Sequence, residues 1–180
     1  MTIYCATSNP GKLREFRLAA PDFEIVPVSP PAPEETGKTF EENALLKARY
    51  YGAHVDGYLF VDDSGIEVDG LGGRPGVDSA HFDTAWLLAQ MRGVENRTAR
   101  FVCVIALVRK GELLKMFRAA VEGRLTEEPR GTNGFGYDPI FFYEPFGCTF
   151  GEADTAEKMR VSHRAQALKA MFTYLRSVST

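Results

Sequence analysis

Residues 99–126, "ARFVCVIALVRKGELLKMFRAAVEGRLT", limit the possible folds more than any other stretch. Two long apolar runs meet at "KGE", a connection so short that the strands it joins must be antiparallel. The N-terminus follows another pattern. An apolar run, "IYCA", is broken by "TSNPG", and "KLREFRLAA" then places Leu13, Phe16 and Ala20 at helical spacing before a second strand, "FEIVPV". A chain holding both a strand, loop, helix and strand unit and a long hairpin predicts a mixed sheet flanked by helices, an α/β class.

The remaining elements fit that frame. "SPPAPEETG" is too rich in proline for regular structure, and at Thr39 the pattern T-x-x-E, completed by Glu42, is a capping box for a helix running to about Tyr51. "GYLFV" reads as a strand, "GIEVD" as a short extended piece, "GLGGRPG" as a loop, and Asp83 as the cap of a short helix, "TAWLLAQMRG". The apolar "IFFY" precedes a closing helix with Ala165, Leu168, Met171, Phe172 and Leu175 on one stripe. No repeat or linker interrupts the 180 residues, so one domain, 1–180, is expected. A formal charge of -3 and a pI near 5.7 argue against nucleic acid as a partner. Cys5, Cys103 and Cys148 have neither C-x-x-C nor Cys/His spacing, which predicts reduced thiols and a cytoplasmic location. The N-terminus lacks a secretory pattern, and no apolar run reaches about 18 residues, so neither export nor a membrane span is expected.

Chemistry concentrates in a few places. "FVDDSGIEVDGLGG", residues 60–73, reads as a buried strand ending in two adjacent carboxylates, Asp62 and Asp63, then Ser64 and a glycine. Open α/β sheets bind ligands at such strand ends, although Asp, Ser and Gly are equally ordinary turn residues. Adjacent like charges repel unless a cation answers them, and Mg2+ prefers oxygen ligands of this kind. Glu34 and Glu35 form a second acidic pair able to complete such a site. "TSNPGK", Thr7, Ser8, Asn9, Pro10, Gly11 and Lys12, combines a tight loop, a helix start and a lysine, as a phosphate cradle does, or is merely a turn before a helix. It is not a Walker A loop, because the first glycine and the Ser or Thr after the lysine are missing. Lys47 falls among Phe40, Ala44 and Tyr51 on the apolar face of its helix, where a lysine either snorkels to solvent or points into a cleft. "GTNGFGYD" offers backbone freedom with Phe135 to stack on a flat ring, followed by Gly136, Tyr137 and Asp138, or places Phe135 in the core. "SHR" opens the last helix with Ser162 as candidate cap, and His163 and Arg164 are donors for a carbonyl oxygen or plain surface residues.

In order, "TSNPGK", "EETGKTFEENALLKA", "VDDSGIEVDGLGGRPGV", "GTNGFGYDPIFF" and "EKMRVSHRAQAL" resemble the motifs of the inosine triphosphate pyrophosphatase family over nearly the whole chain. The resemblance implies a two-lobed mixed α/β fold with the active site in a cleft, a homodimer, and Mg2+-dependent hydrolysis of ITP, dITP and XTP to the monophosphate and pyrophosphate. It implies that Thr7 to Lys12 bind the triphosphate, that Asp63 is the metal-linked general base, and that Glu34, with Glu35 as competitor, helps hold the metal. Ser64 is then expected to touch substrate, Phe135 to Asp138 to form the base and sugar loop, and Lys158, His163 and Arg164 to complete the nucleotide pocket. Two departures stand out: the segment after "GVDSAHF" is short for the family, and Asn133 replaces an expected glycine and so restrains its loop. A phosphatase releasing orthophosphate and a non-catalytic nucleotide sensor are the rival readings.

Overall fold

Seven strands line up in one sheet in a computed structural model that describes residues 1–29 and 31–179. They are β1 (Thr2–Ala6), β2 (Glu24–Val28), β3 (Tyr58–Val68), β4 (Thr98–Arg109), β5 (Glu112–Leu125), β6 (Phe141–Tyr143) and β7 (Cys148–Thr149), in the order β2-β1-β3-β4-β5-β6-β7. β1 runs parallel to β2 and β3, whereas β6 runs antiparallel to β5 and β7, so the sheet is mixed as the sequence predicts. The β4 to β5 hairpin turns on Lys110 and Gly111, whose φ values of 50 and 80 degrees suit a two-residue loop. The principal helices are α1 (Pro10–Ala19), α2 (Phe40–Gly52), α3 (Thr84–Gln90), α4 (Thr155–Lys158) and α5 (His163–Val178).

Local chemistry sets the helix starts. Asn9 caps α1, Thr39 caps α2 by accepting from Glu42 N at 3.1 Å, and Asp83 caps α3 by accepting from Trp86 N at 2.8 Å. The capping box is shifted by one residue on its return arm, because Glu42 Oε2 accepts from Lys38 N.

One expectation needs correction. β3 does not stop at the acidic pair: it continues without a break through Asp62, Asp63, Ser64 and Gly65 to Val68. Ser64 and Gly65 adopt extended geometry there, so turn-forming residue types do not make a turn. Short 3-10 segments, Asp69–Leu71 and Gly76–His81, follow the strand, and neither they nor β7 and α4 carry a period long enough to read in the sequence.

The chain folds into two compact units. The first comprises Met1–Asp63, Cys103–Ala119 and Arg164–Thr180. In it the α5 stripe expected from the sequence is buried, and Phe60 meets Phe16 and Phe172 edge-on at 4.9 and 6.2 Å. The second comprises Ser64–Val102 and Ala120–His163, with a core that includes Ile66, Leu87, Phe101, Phe141 and Phe150. Among the described residues no helix is long and apolar enough to cross a membrane, and the three cysteines are free thiols.

Candidate active site

Because β3 stays extended, the side chains of Asp62 and Asp63 point to opposite faces and avoid one another. Each meets its own cations. On one side Lys12 Nζ of α1 donates to Asp62 Oδ1 at 3.2 Å, and Arg164 Nε of α5 donates to Asp62 Oδ2 at 3.3 Å. On the other, Lys47 Nζ of α2 donates to Asp63 Oδ1 at 3.1 Å and to the Asp62 carbonyl at 2.8 Å. Lys12 and Lys47 therefore converge on one dipeptide from different helices. The lysine amid the apolar face of α2 points inward, with only 13% of its side chain exposed.

The two carboxyls differ electrostatically. Burial works to raise the Asp62 carboxyl, but Lys12, Arg164 and Lys47 outweigh it and hold the group well below the usual carboxylate range. Asp63 goes the other way. Burial pushes it up to about 6, Lys47 opposes that rise, and Glu35 and Asp62 add to it. Its Oδ2 is buried without a hydrogen-bond partner, an expensive condition for a group with nothing to bind.

The carboxylate brought to Lys47 from the Pro-rich loop is that of Glu35, at 2.8 Å. Glu34 and Glu35 are both exposed, and of the two candidates the ion pair with Lys47 favours Glu35. Asp63 and Glu35 fit Mg2+, which takes one or two protein carboxylates and completes its shell with water and phosphate oxygens. Among the described residues no group of three or more His, Cys, Asp or Glu forms a ready metal cage.

The loop before α1 is arranged for capping. Asn9 Oδ1 accepts from the amides of Gly11 and Lys12 at 2.9 and 3.3 Å, and Asn9 N donates to Thr7 Oγ1, while Ser8 and Pro10 are exposed. The lysine side chain, rather than those two amides, is thus the group this loop presents to the acidic pair.

In the second unit, Asp138 organises the aromatic loop. Its Oδ2 accepts from Phe135 N at 3.0 Å and from Lys158 Nζ at 2.7 Å, and the same ammonium lies 4.8 Å from the centre of the Phe135 ring. Lys158 and Asp138 are both buried. The Tyr137 hydroxyl donates to Ser79 O at 2.6 Å, and burial followed by the nearby Asp83 pushes that phenol up to about 12. Thr84 Oγ1 donates to Gly136 O, and a hollow of about 260 Å³ lies beside Phe82, Thr84, Gly136 and Tyr137. Asn133 does restrain its loop, through Asn133 N to Gly151 O and Asn133 Nδ2 to Ala153 O.

Two of the expected base readers, His163 and Arg164, stand at the start of α5. His163 is buried with its ring stacked on Phe101 at 4.8 Å, and Arg164 is buried between Asp62 and Glu15. Ser64 follows Asp63 directly in β3 and is half-buried. Sequence reasoning missed Glu15, whose signal was its spacing: it lies three residues after Lys12 on the same face of α1.

Comparisons with known proteins agree with this architecture. The dITP/XTP pyrophosphatase of Symbiobacterium thermophilum is 52% identical over 176 residues, 91% of this chain and 89% of its own. That of Bacillus subtilis is 42% identical, with 92% of each chain covered. A HAM1 protein from Coxiella burnetii has the same fold, with a TM-score of 0.86 at 36% identity over 98% of this chain and 99% of that one. The Staphylococcus aureus Ham1 protein gives 0.84 at 33% identity over the same shares. These likenesses bear out the resemblance read from the five motifs. With the Ham1 family model matching residues 3–174 as well, the chain belongs to the Ham1 family.

Proposed function

We propose that this protein hydrolyses non-standard purine nucleoside triphosphates, ITP, dITP and XTP, to the monophosphate and pyrophosphate, with Mg2+ as cofactor and as a cytoplasmic homodimer. The observation that carries the reading is the buried Asp63 carboxyl, held by Lys47 on one oxygen and unbonded on the other, beside an Asp62 that Lys12 holds. The names of the Symbiobacterium and Bacillus relatives support the substrate class.

Water attacks the α-phosphorus in line while pyrophosphate leaves, so the chain's task is to place that water and offset charge on the phosphoryl oxygens. Asp63, raised to about 6 chiefly by burial, suits a general base near neutral pH and accepts the water's proton at its unbonded Oδ2. Lys12 and Lys47 offset the phosphate charge. Asp63 and Glu35 would hold Mg2+, which when bound supplies further neutralisation of the triphosphate.

Phe135 stacks on the base, and the buried Lys158 and Asp138 pair matches one acceptor and one donor of hypoxanthine or xanthine, at O6 and N1. Adenine reverses both positions, so ATP leaves these groups mispaired.

Phosphate release from each triphosphate, measured with and without added inorganic pyrophosphatase, tests the reading. Signal that depends on the added enzyme and on Mg2+ supports it. Orthophosphate released directly would make the protein a phosphatase, and a thermal shift with ITP but no product would make it a sensor. Asp63→Asn is expected to lower kcat about 10²- to 10⁴-fold with little change in substrate binding.

A further inference from the structure

Asn43, in the first turn of α2, is polar yet only 1% exposed. A carboxamide so placed costs free energy unless it is hydrogen-bonded, and here its oxygen and its nitrogen both go to one residue. Gly37 N donates to Asn43 Oδ1 at 2.8 Å, and Asn43 Nδ2 donates to Gly37 O at 3.5 Å. The fit is close: a Cβ on Gly37 would lie 2.6 Å from Asn43 Oδ1 and 2.8 Å from Glu42 Cβ. Gly37 lies two residues after Glu35 in the Pro-rich loop, and one helical turn beyond Asn43 the same face of α2 carries Lys47, which holds Glu35 at 2.8 Å.

The loop has no ladder of its own, because residues 31–37 form neither helix nor strand and Pro31 and Pro33 lack an N–H. Two residues of extended chain span at most about 7 Å, so a fixed Gly37 confines Glu35 to the surroundings of Lys47 and Asp63.

We propose that Asn43 is a positioning residue that sets the metal affinity of the site, clamping Gly37 by both backbone groups so that Glu35 stays on the ammonium it shares with Asp63. The inference rests on the proposed reading of Glu35 and Asp63 as the protein ligands of Mg2+. Without the clamp Glu35 hangs on a longer tether, whose next anchor is Lys38 N on Glu42 Oε2. Lys47 keeps Asp63 and the Asp62 carbonyl in that state, so the loss falls on holding the ion rather than on placing the attacking water. A residue that acts through Glu35 has nothing to place once the Glu35 charge is gone, whereas a purely structural anchor costs the same with or without it.

Mn2+, which takes the same oxygen ligands and whose free ion is read by electron paramagnetic resonance, is titrated into nucleotide-free protein. Asn43→Ala and Gly37→Ala are each expected to weaken Mn2+ binding about tenfold. Glu35→Gln is expected to weaken it by a similar factor, and adding Asn43→Ala to Glu35→Gln by no more than about twofold further. Unchanged affinity in the single variants, or a second tenfold loss in the Glu35→Gln background, overturns the inference. Should Asn43→Ala not fold, Gly37→Ala, alone and with Glu35→Gln, decides in its place. With dITP, the Mg2+ concentration giving half the maximal rate is expected to rise about tenfold in both single variants, while kcat at saturating Mg2+ falls no more than about threefold. A loss confined to kcat overturns the inference, as does wild-type protein that binds no Mn2+. Wild-type protein that binds Mn2+ but releases no pyrophosphate sinks the proposed reaction instead and leaves the clamp's control of the ion standing.

Discussion

Asp63 has one oxygen on Lys47 and the other buried without a partner, and its carboxyl is raised, chiefly by burial, from 3.8 to about 6. A carboxyl raised on folding binds its proton more readily in the folded state. It therefore costs nothing below the unfolded value, and a growing amount as pH climbs through the folded one. Asp62 has the reverse sign: held low by its cations, it stabilises above the ordinary carboxylate value and loses that contribution as pH falls. In metal-free protein Asp63→Asn is expected to be more stable than wild type at pH 7.5, by as much as about 3 kcal/mol, with the gap closing by about pH 4. Lys47 retains Glu35 and the Asp62 carbonyl in that variant. Urea denaturation in EDTA at both pH values checks the sign, and no gain at pH 7.5 would contradict the buried-carboxylate account. The acidic doublet is legible in the sequence, but the division of labour within it is not. That division depends on β3 continuing through Ser64 and Gly65, against the turn preference of those residues. The choice of Glu35 over Glu34 escapes for a related reason, since an irregular loop has no period from which to read direction.

Elements with a long period were the most legible. α2 and α5 followed from the capping box and the apolar stripe, and the hairpin from two runs around one glycine. The aromatic loop was legible as a composition, but its anchoring was not, because Asp138 meets Lys158 across 20 residues of chain. Gly134 shows how tightly that loop is built. Its φ is +70 degrees, and a Cβ there would lie 2.2 Å from Asp138 Oδ2, the atom that Phe135 N and Lys158 share. Gly134→Ala is therefore expected to displace Asp138 and raise KM for dITP about tenfold or more, because base-binding groups lose their alignment. Far-UV circular dichroism should stay unchanged, since no helix or strand includes the loop. A KM within about twofold of wild type would show that the loop's anchoring does not govern nucleotide binding.

At the scale of the whole molecule, the mixed sheet was legible because its two defining pieces are each local in sequence. The buried charge network was not, since it joins side chains as far apart as Glu15 and Arg164. The ion pairs at the two extremes of exposure differ accordingly. Arg176 with Asp22, Arg124 with Glu144 and Arg118 with Glu41 have side chains 42 to 67% exposed, and such pairs contribute about 0 to 1 kcal/mol each. Lys158 with Asp138, and Arg164 with Glu15 and Asp62, are 1 to 3% exposed, where salt screens little and a missing partner leaves a bare charge. Raising NaCl from about 0.1 to 1 M, which shortens the screening length from about 10 to 3 Å, is therefore expected to move Tm by no more than about 2 °C. Lys158→Met, by contrast, takes the ammonium away from the buried Asp138 carboxylate and is expected to cost about 3 to 5 kcal/mol. Thermal melts of both proteins across the salt series separate the groups. A wild type that loses many degrees in salt would place the fold's electrostatic support at the surface, and a stable Lys158→Met would show that Asp138 is satisfied without its lysine.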